Sequence, residues 1–211
     1  MAYKLPLEKI QRKEKFTLQE TVEWLEQFGF KDYEIIGDSV GLLGDLKYSL
    51  STKYFPLKIS QVRGNLTLNN VGLPNDLSGL PRIIYGDLIL TGNLFQKPFN
   101  FPTFTGSIDL SSNKNLNDIT SLTQKDIKGD LTAINCNFTV FKNETIAHVH
   151  GSVNLSNNKI NTVSFKALIQ KDFVLSHNYM TGNPEISVLG ELFLDSNPVH
   201  PDDQLESSMW G

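Results

Sequence analysis

The sequence predicts an α/β solenoid with a parallel β-sheet of about eight strands, an irregular convex side and an N-terminal capping helix. Three observations carry this. A unit of apolar, any residue, glycine, any, apolar, any, apolar recurs along the 211 residues, marked by Gly44, Gly64, Gly86, Gly106, Gly129, Gly151 and Gly190, with Lys171 in the place of the seventh of eight glycines. The intervals are 20, 22, 20, 23, 22, 20 and 19 residues, and a fixed period in that range marks stacked coils that touch only their neighbours. Within each unit the apolar positions alternate with polar ones, the pattern of a strand with one buried face.

The chain divides into residues 1–38, a basic arm and capping helix; 39–200, the solenoid; and 201–211, a C-terminal tail. The arm carries Lys4, Lys9, Arg12, Lys13 and Lys15. Thr17-Leu18-Gln19-Glu20 has capping-box spacing, in which the threonine hydroxyl and the glutamate each satisfy an orphan backbone N–H. Leu18, Val22, Leu25 and Phe28 follow at helical spacing, and Gly29 sits where the helix stops. This helix is expected to close the first coil, with Trp24 or Phe30 adding to the plug.

Three columns of the repeat read as core. Two before the glycine stand Leu42, Val62, Ile84, Phe104, Ile127, Val149, Ile169 and Val188. Two after it come Leu46, Leu66, Leu88, Ile108, Leu131, Val153, Phe173 and Leu192, and four after it Tyr48, Leu68, Leu90, Leu110, Ala133, Leu155, Leu175 and Leu194. The glycine shares their inward parity, so two backbones are expected to approach closely there with no room for a Cβ. Lys171 then requires a bulge or an outward side chain. Seven after the glycine stand Asn93, Asn113, Asn158, Asn178 and Asn197, with Cys136 and Val71 as departures. An inward amide at each coil's exit offers both a donor and acceptors to backbone groups in a dry interior, so these residues predict a ladder.

Leu192-Phe193-Leu194-Asp195-Ser196-Asn197-Pro198-Val199 and Val153-Asn154-Leu155-Ser156-Asn157-Asn158-Lys159-Ile160 have the pattern Leu-x-Leu-x-x-Asn/Cys-x-Leu. From about Leu42 to Val199 the sequence resembles the leucine-rich-repeat family. The variant Ile84-Tyr85-Gly86-Asp87-Leu88 and the entry segment from Tyr33 to Leu46 look like the short repeats of proteins encoded by large tailed bacteriophages. The resemblance implies a binding module without catalysis and, for a phage protein, a host protein as the partner to be inhibited or redirected.

Composition narrows the classes. A net charge of −4 argues against a general nucleic-acid binder. No apolar run approaches the ~18 residues that span a bilayer, and the start lacks the apolar stretch of a secretory signal. One cysteine permits no internal disulfide, so a cytoplasmic protein is expected, in the host if phage-encoded, with a virion component as the alternative. His148, His150, His177 and His200 lack a third ligand at metal spacing. No nucleophile or phosphate-loop motif occurs, so no enzyme, metal, cofactor or small-molecule substrate is expected.

The expected partner surface is the concave sheet. Its outward positions hold Asp45, Asp87, Asp109, Asp130, Asp172, Glu191 and Asp195 against the single base Lys47. Like charges lined on one face cost stability and hint at a partner protein with a basic surface. Val174 and Phe193 are neighbours in one column with His177 nearby, the best candidate for an apolar anchor. The alternative is a structural role as a virion or assembly component.

Overall fold

The computed structural model describes residues 15–50, 55–181, 184 and 186–197. The arm cations Lys4, Lys9, Arg12 and Lys13, residues Ser51, Thr52 and Lys53 of the first repeat, and the tail with His200 and Trp210 lie outside the described residues.

The first element is α1 (Leu18–Gln27). Thr17 caps it as expected: its hydroxyl accepts from the Glu20 N–H, and the Glu20 carboxylate accepts from the Thr17 N–H at 2.8 Å. The helix stops at Gly29, whose φ of +81° suits a residue without Cβ. Gly29 N–H donates to Glu26 O and Phe30 N–H to Leu25 O, the two crossing bonds of a Schellman motif. Thr21, Trp24 and Leu25 are buried. Phe28, expected on the buried stripe, is 54% exposed and instead stacks on Trp24 with ring centroids 4.5 Å apart.

Next comes an antiparallel hairpin, β1 (Tyr33–Ile36) and β2 (Ser39–Leu42), turning at Gly37. The boundary drawn at residue 38 therefore cuts through this hairpin. From there each coil supplies two short strands with its glycine, or Lys171 in the seventh coil, at the bend between them. The strands after the bend are β3 (Leu46–Tyr48), β5 (Leu66–Leu68), β7 (Leu88–Ile89), β9 (Ile108–Asp109), β11 (Leu131–Thr132), β14 (Val153–Asn154), β17 (Phe173–Val174) and β19 (Leu192–Phe193). They form one parallel sheet in coil order. The strands before the bend are β2, β4 (Ile59–Val62), β6 (Ile83–Ile84) and β8 (Thr103–Phe104) in one sheet with β1, and β10 (Asp126–Ile127), β13 (His148–Val149), β16 (Leu168–Ile169) and β18 (Ser187–Val188) in another. A third pair, β12 (Val140–Asn143) and β15 (Thr162–Phe165), lies between coils on the far side. The chain is thus a β-solenoid with one described helix, and the side expected to be irregular is partly sheet.

The three predicted columns are the core. Up to the seventh coil every member is at most 2% exposed, and Leu68, Leu90, Leu110 and Leu155 lie on adjoining parallel strands or directly beyond their ends. Behind them Phe95, Phe138, Phe141 and Phe165 fill the interior. In the aromatic segment Pro98-Phe99-Asn100-Phe101-Pro102, Pro98 and Pro102 are buried, Phe101 is half-buried and Phe99 is 44% exposed, so only part of it serves as packing.

Candidate functional site

The long sheet's outward face is built from the residues one, three and five after each glycine. The first column turns out to be a ladder. Asp45 Oδ1 accepts from Asn65 N–H at 2.7 Å, Asn65 Oδ1 from Asp87 N–H at 2.7 Å, and Asp87 Oδ1 from Ser107 N–H at 2.7 Å. Ser107 Oγ then accepts from Asp130 N–H, Asp130 Oδ1 from Ser152 N–H, Ser152 Oγ from Asp172 N–H, and Asp172 Oδ1 from Glu191 N–H. Each oxygen satisfies a donor that the bend leaves without a sheet partner.

The same ladder explains the glycines. A Cβ at Gly64 would stand 2.4 Å from Asp45 Oδ1 and 2.6 Å from the carbonyl carbon of Gly44; at Gly151 it would stand 2.0 Å from Asp130 Oδ1 and 2.6 Å from Gly129 O. The close approach expected from sequence is real, but its direction differs: the missing Cβ would point along the stack at the preceding coil. Gly44, which has no preceding coil, has nothing within 4 Å. Lys171 keeps the backbone ladder, donating to Gly151 O and accepting from Gly190 N–H, with its side chain outward. At that coil the oxygen-to-backbone bond stretches to 3.4 Å, the longest of the seven.

Charge along this column alternates as far as Asp172, which Glu191 follows directly on the next coil. Asp45, Asp87, Asp130 and Asp172 are separated by Asn65, Ser107 and Ser152, so successive carboxylates lie two strand spacings apart, about 9.6 Å. That is close to the Debye length of ~10 Å at 0.1 M salt. The like-charge cost inferred from sequence is correspondingly small from Asp45 to Asp172 and concentrates at Asp172 and Glu191, about 4.8 Å apart on adjoining coils. No ion pair among the described residues draws on these carboxylates; Lys58–Asp38, Arg63–Glu34, Lys97–Asp118, Lys142–Glu144 and His148–Asp126 pair elsewhere.

In the second column Thr67, Ile89, Thr132, Val174 and Phe193 are half-buried and Lys47 is exposed. Asp109 Oδ1 accepts from the Ser111 N–H two residues on, so its carboxylate also serves its own coil. Val174 and Phe193 are directly paired across β17 and β19. In the third column Ser156 and Ser176 are buried rather than outward, and Asp195 is exposed.

His177 belongs to a different set. The residue six after the glycine has positive φ in seven coils: Asn70, Gly92, Ser112, Asn135, Asn157, His177 and Ser196, all between +55° and +66°. This left-handed residue turns each coil out of the sheet and aims the next side chain inward. Five of the seven are Asn, Gly or His, types that tolerate this region, and that recurrence was the sequence signal for the turn. The following column is the predicted amide ladder. Asn178 Oδ1 accepts from Ile160 N–H of the preceding coil, and its Nδ2 donates to Leu155 O and Leu175 O, each at 2.9 Å. Cys136 substitutes its thiol, with Sγ 3.2 Å from Leu110 O. Burial raises that thiol to about 11.

His148 and His150 lie on the other sheet, with Nδ1 of His148 2.9 Å from Asp126 and Nε2 of His150 3.3 Å from Lys128 Nζ. Among the described residues no group of three potential ligands could hold a metal ion, and no helix is long and apolar enough to cross a membrane. No protein-family model matches the chain, nor does any curated protein or solved structure.

Proposed function

We propose that the chain is a non-catalytic recognition module of leucine-rich-repeat type that binds another protein on the outward face of its long sheet. The observation that carries this reading is the half-exposed pair Val174 and Phe193, set in register on adjacent strands and framed by Asp172, Glu191 and Asp195. An apolar anchor inside a charged rim is the arrangement of an interface hot spot. The acidic column adds selectivity. Its ladder needs an oxygen at each step, not a charge, since Asn65, Ser107 and Ser152 also fill it. The four aspartates therefore supply a negative stripe beyond what the stacking requires, suited to a partner with a basic surface. The likeness of the repeats to those of tailed phages supports a host protein as that partner, inhibited or redirected by the contact.

The test is capture of the partner from host lysate by immobilised protein. Phe193→Ala should abolish capture without changing the melting temperature. The triple variant Asp87→Asn, Asp130→Asn, Asp172→Asn keeps every ladder oxygen and removes three charges; it should weaken capture and flatten its salt dependence. Equal capture by all three proteins would rule out this face as the binding surface.

A further inference from the structure

We propose that the outer edge of β19, which pairs with no further strand among the described residues, accepts an extended segment of the partner in which Lys or Arg alternates with apolar residues, adding a ninth strand to the long sheet. This rests on the recognition role above and specifies how the partner docks.

The two ends of the stack differ. At the first coil Leu46 and Tyr48 are buried, with Trp24 of α1 packed on the Tyr48 ring at 5.6 Å. At the last coil their counterparts Leu192 and Leu194 remain partly exposed, as do Ile186 and Val188, and Leu189 is 70% exposed. Hydrogen bonding is equally one-sided. Phe173 N–H and Leu175 N–H each donate across to the last coil, to Glu191 O and Phe193 O at 2.8 Å. The equivalent donors on the last coil are those of Leu192 and Leu194. Among the described residues β19 pairs with β17 alone, so these donors meet no further strand. An edge of this kind recognises an extended chain by main-chain bonds, with side chains setting specificity.

Charge decides between occupants. The outward side chains framing the edge are Glu191 and Asp195, both exposed, with Phe193 between them. A second copy pairing antiparallel about Phe193 would set Glu191 against Asp195, and directly opposed like charges destabilise a strand pair. Residues 198–211 of this chain bring Asp202, Asp203 and Glu206 with no Lys or Arg. A foreign strand with cationic outward residues and apolar inward ones matches both faces of the edge.

The experiment uses the full chain and two labelled heptapeptides, alternating Lys and Val or Glu and Val, read by fluorescence anisotropy at physiological salt. The Lys peptide should bind and the Glu peptide should not. Glu191→Lys with Asp195→Lys should weaken the Lys peptide about tenfold, the yield of two exposed ion pairs. Leu194→Pro, which removes an edge donor, should abolish binding. Glu144→Gln, which removes an exposed carboxylate just after β12 and away from the long sheet, should bind the Lys peptide as the unmodified chain does. Overturning results are equal binding of both peptides, no binding of either, or a loss in Glu144→Gln as large as in the edge variant. A light-scattering mass of two chains would assign the edge to a second copy. Trp210 emission shielded from acrylamide in a Trp24→Phe variant would assign it to residues 198–211. Either also overturns the proposal. If the peptides fail while Phe193-dependent capture persists, the docking mode falls and the recognition role stands; if capture fails while the Lys peptide binds, the reverse holds.

Discussion

Replacing Gly151 by alanine should cost about 4 kcal/mol, whereas the same change at Gly44 should cost nothing. A Cβ at Gly151 would sit 2.0 Å from Asp130 Oδ1 and 2.6 and 2.7 Å from the Gly129 carbonyl oxygen and carbon. The carboxylate can rotate away, but only by releasing the Ser152 N–H that it accepts at 2.8 Å. The Gly129 carbonyl is backbone, and it already accepts from Gly151 N–H at 2.9 Å. Overpacking of this kind costs about 1–3 kcal/mol, and a donor left without its acceptor about 1–3 kcal/mol more. Their sum is a large share of the roughly 5–15 kcal/mol that holds a domain folded. Gly44 occupies the same motif position, yet a Cβ there meets no atom within 4 Å and its φ is not positive. Gly44→Ala should be neutral or gain up to about 1 kcal/mol by restricting the unfolded chain. Urea denaturation followed by circular dichroism measures both. Equal effects at the two sites would refute the claim that the glycines exist to admit the preceding coil's oxygen.

Three further outcomes follow from the ladders and the turn. Asn178→Leu removes an acceptor for Ile160 N–H and two donors to Leu155 O and Leu175 O; a loss of about 3 kcal/mol is expected, with faster amide exchange at Ile160 as its local signature. His177 holds φ at +58°, a conformation costing a side-chain-bearing residue about 1 kcal/mol, so His177→Gly should raise the melting temperature, and a lowered one would contradict the strain. The Cys136 thiol is raised from 9.0 to about 11, chiefly by burial, so it should resist a thiol reagent at pH 8 until urea unfolds the chain. Because the folded value exceeds the unfolded one, this thiol's contribution to stability is complete below pH 9 and fades between about pH 9 and 11; rapid native labelling at pH 8 would disprove the burial.

The core was legible because burial leaves a compositional trace. Leu68, Leu90 and Leu110 must be apolar in every coil, and Thr17 and Glu20 must be three apart to cap α1. The inward amides were legible for a similar reason, since an asparagine recurring among leucines needs a buried backbone to satisfy. Asp87 and Asp130 were harder. An aspartate on an exposed strand position reads the same whether it faces solvent or bonds the next coil, because both environments are polar. The direction of Gly64 was hidden likewise, since parity along one strand cannot reveal a bend that splits it into two. Phe28 fitted the helical stripe by spacing, but the chain leaves the helix at that residue and carries its ring to the rim. The strands before the bend, only two residues long in β6 and β10, are too brief to leave an alternating signature.

The two oxygen ladders run in opposite senses. Asp87 reaches forward to the N–H of Ser107, while Asn113 reaches back to the N–H of Asn93. Five of the seven junctions between coils, all but those where Val71 and Cys136 replace the asparagine, are therefore stitched from both sides by side-chain oxygens. Such junctions are interchangeable. A lineage could duplicate or delete a whole period and lengthen or shorten the recognition surface by one strand width, without redesigning any joint and without disturbing the helix at the far end.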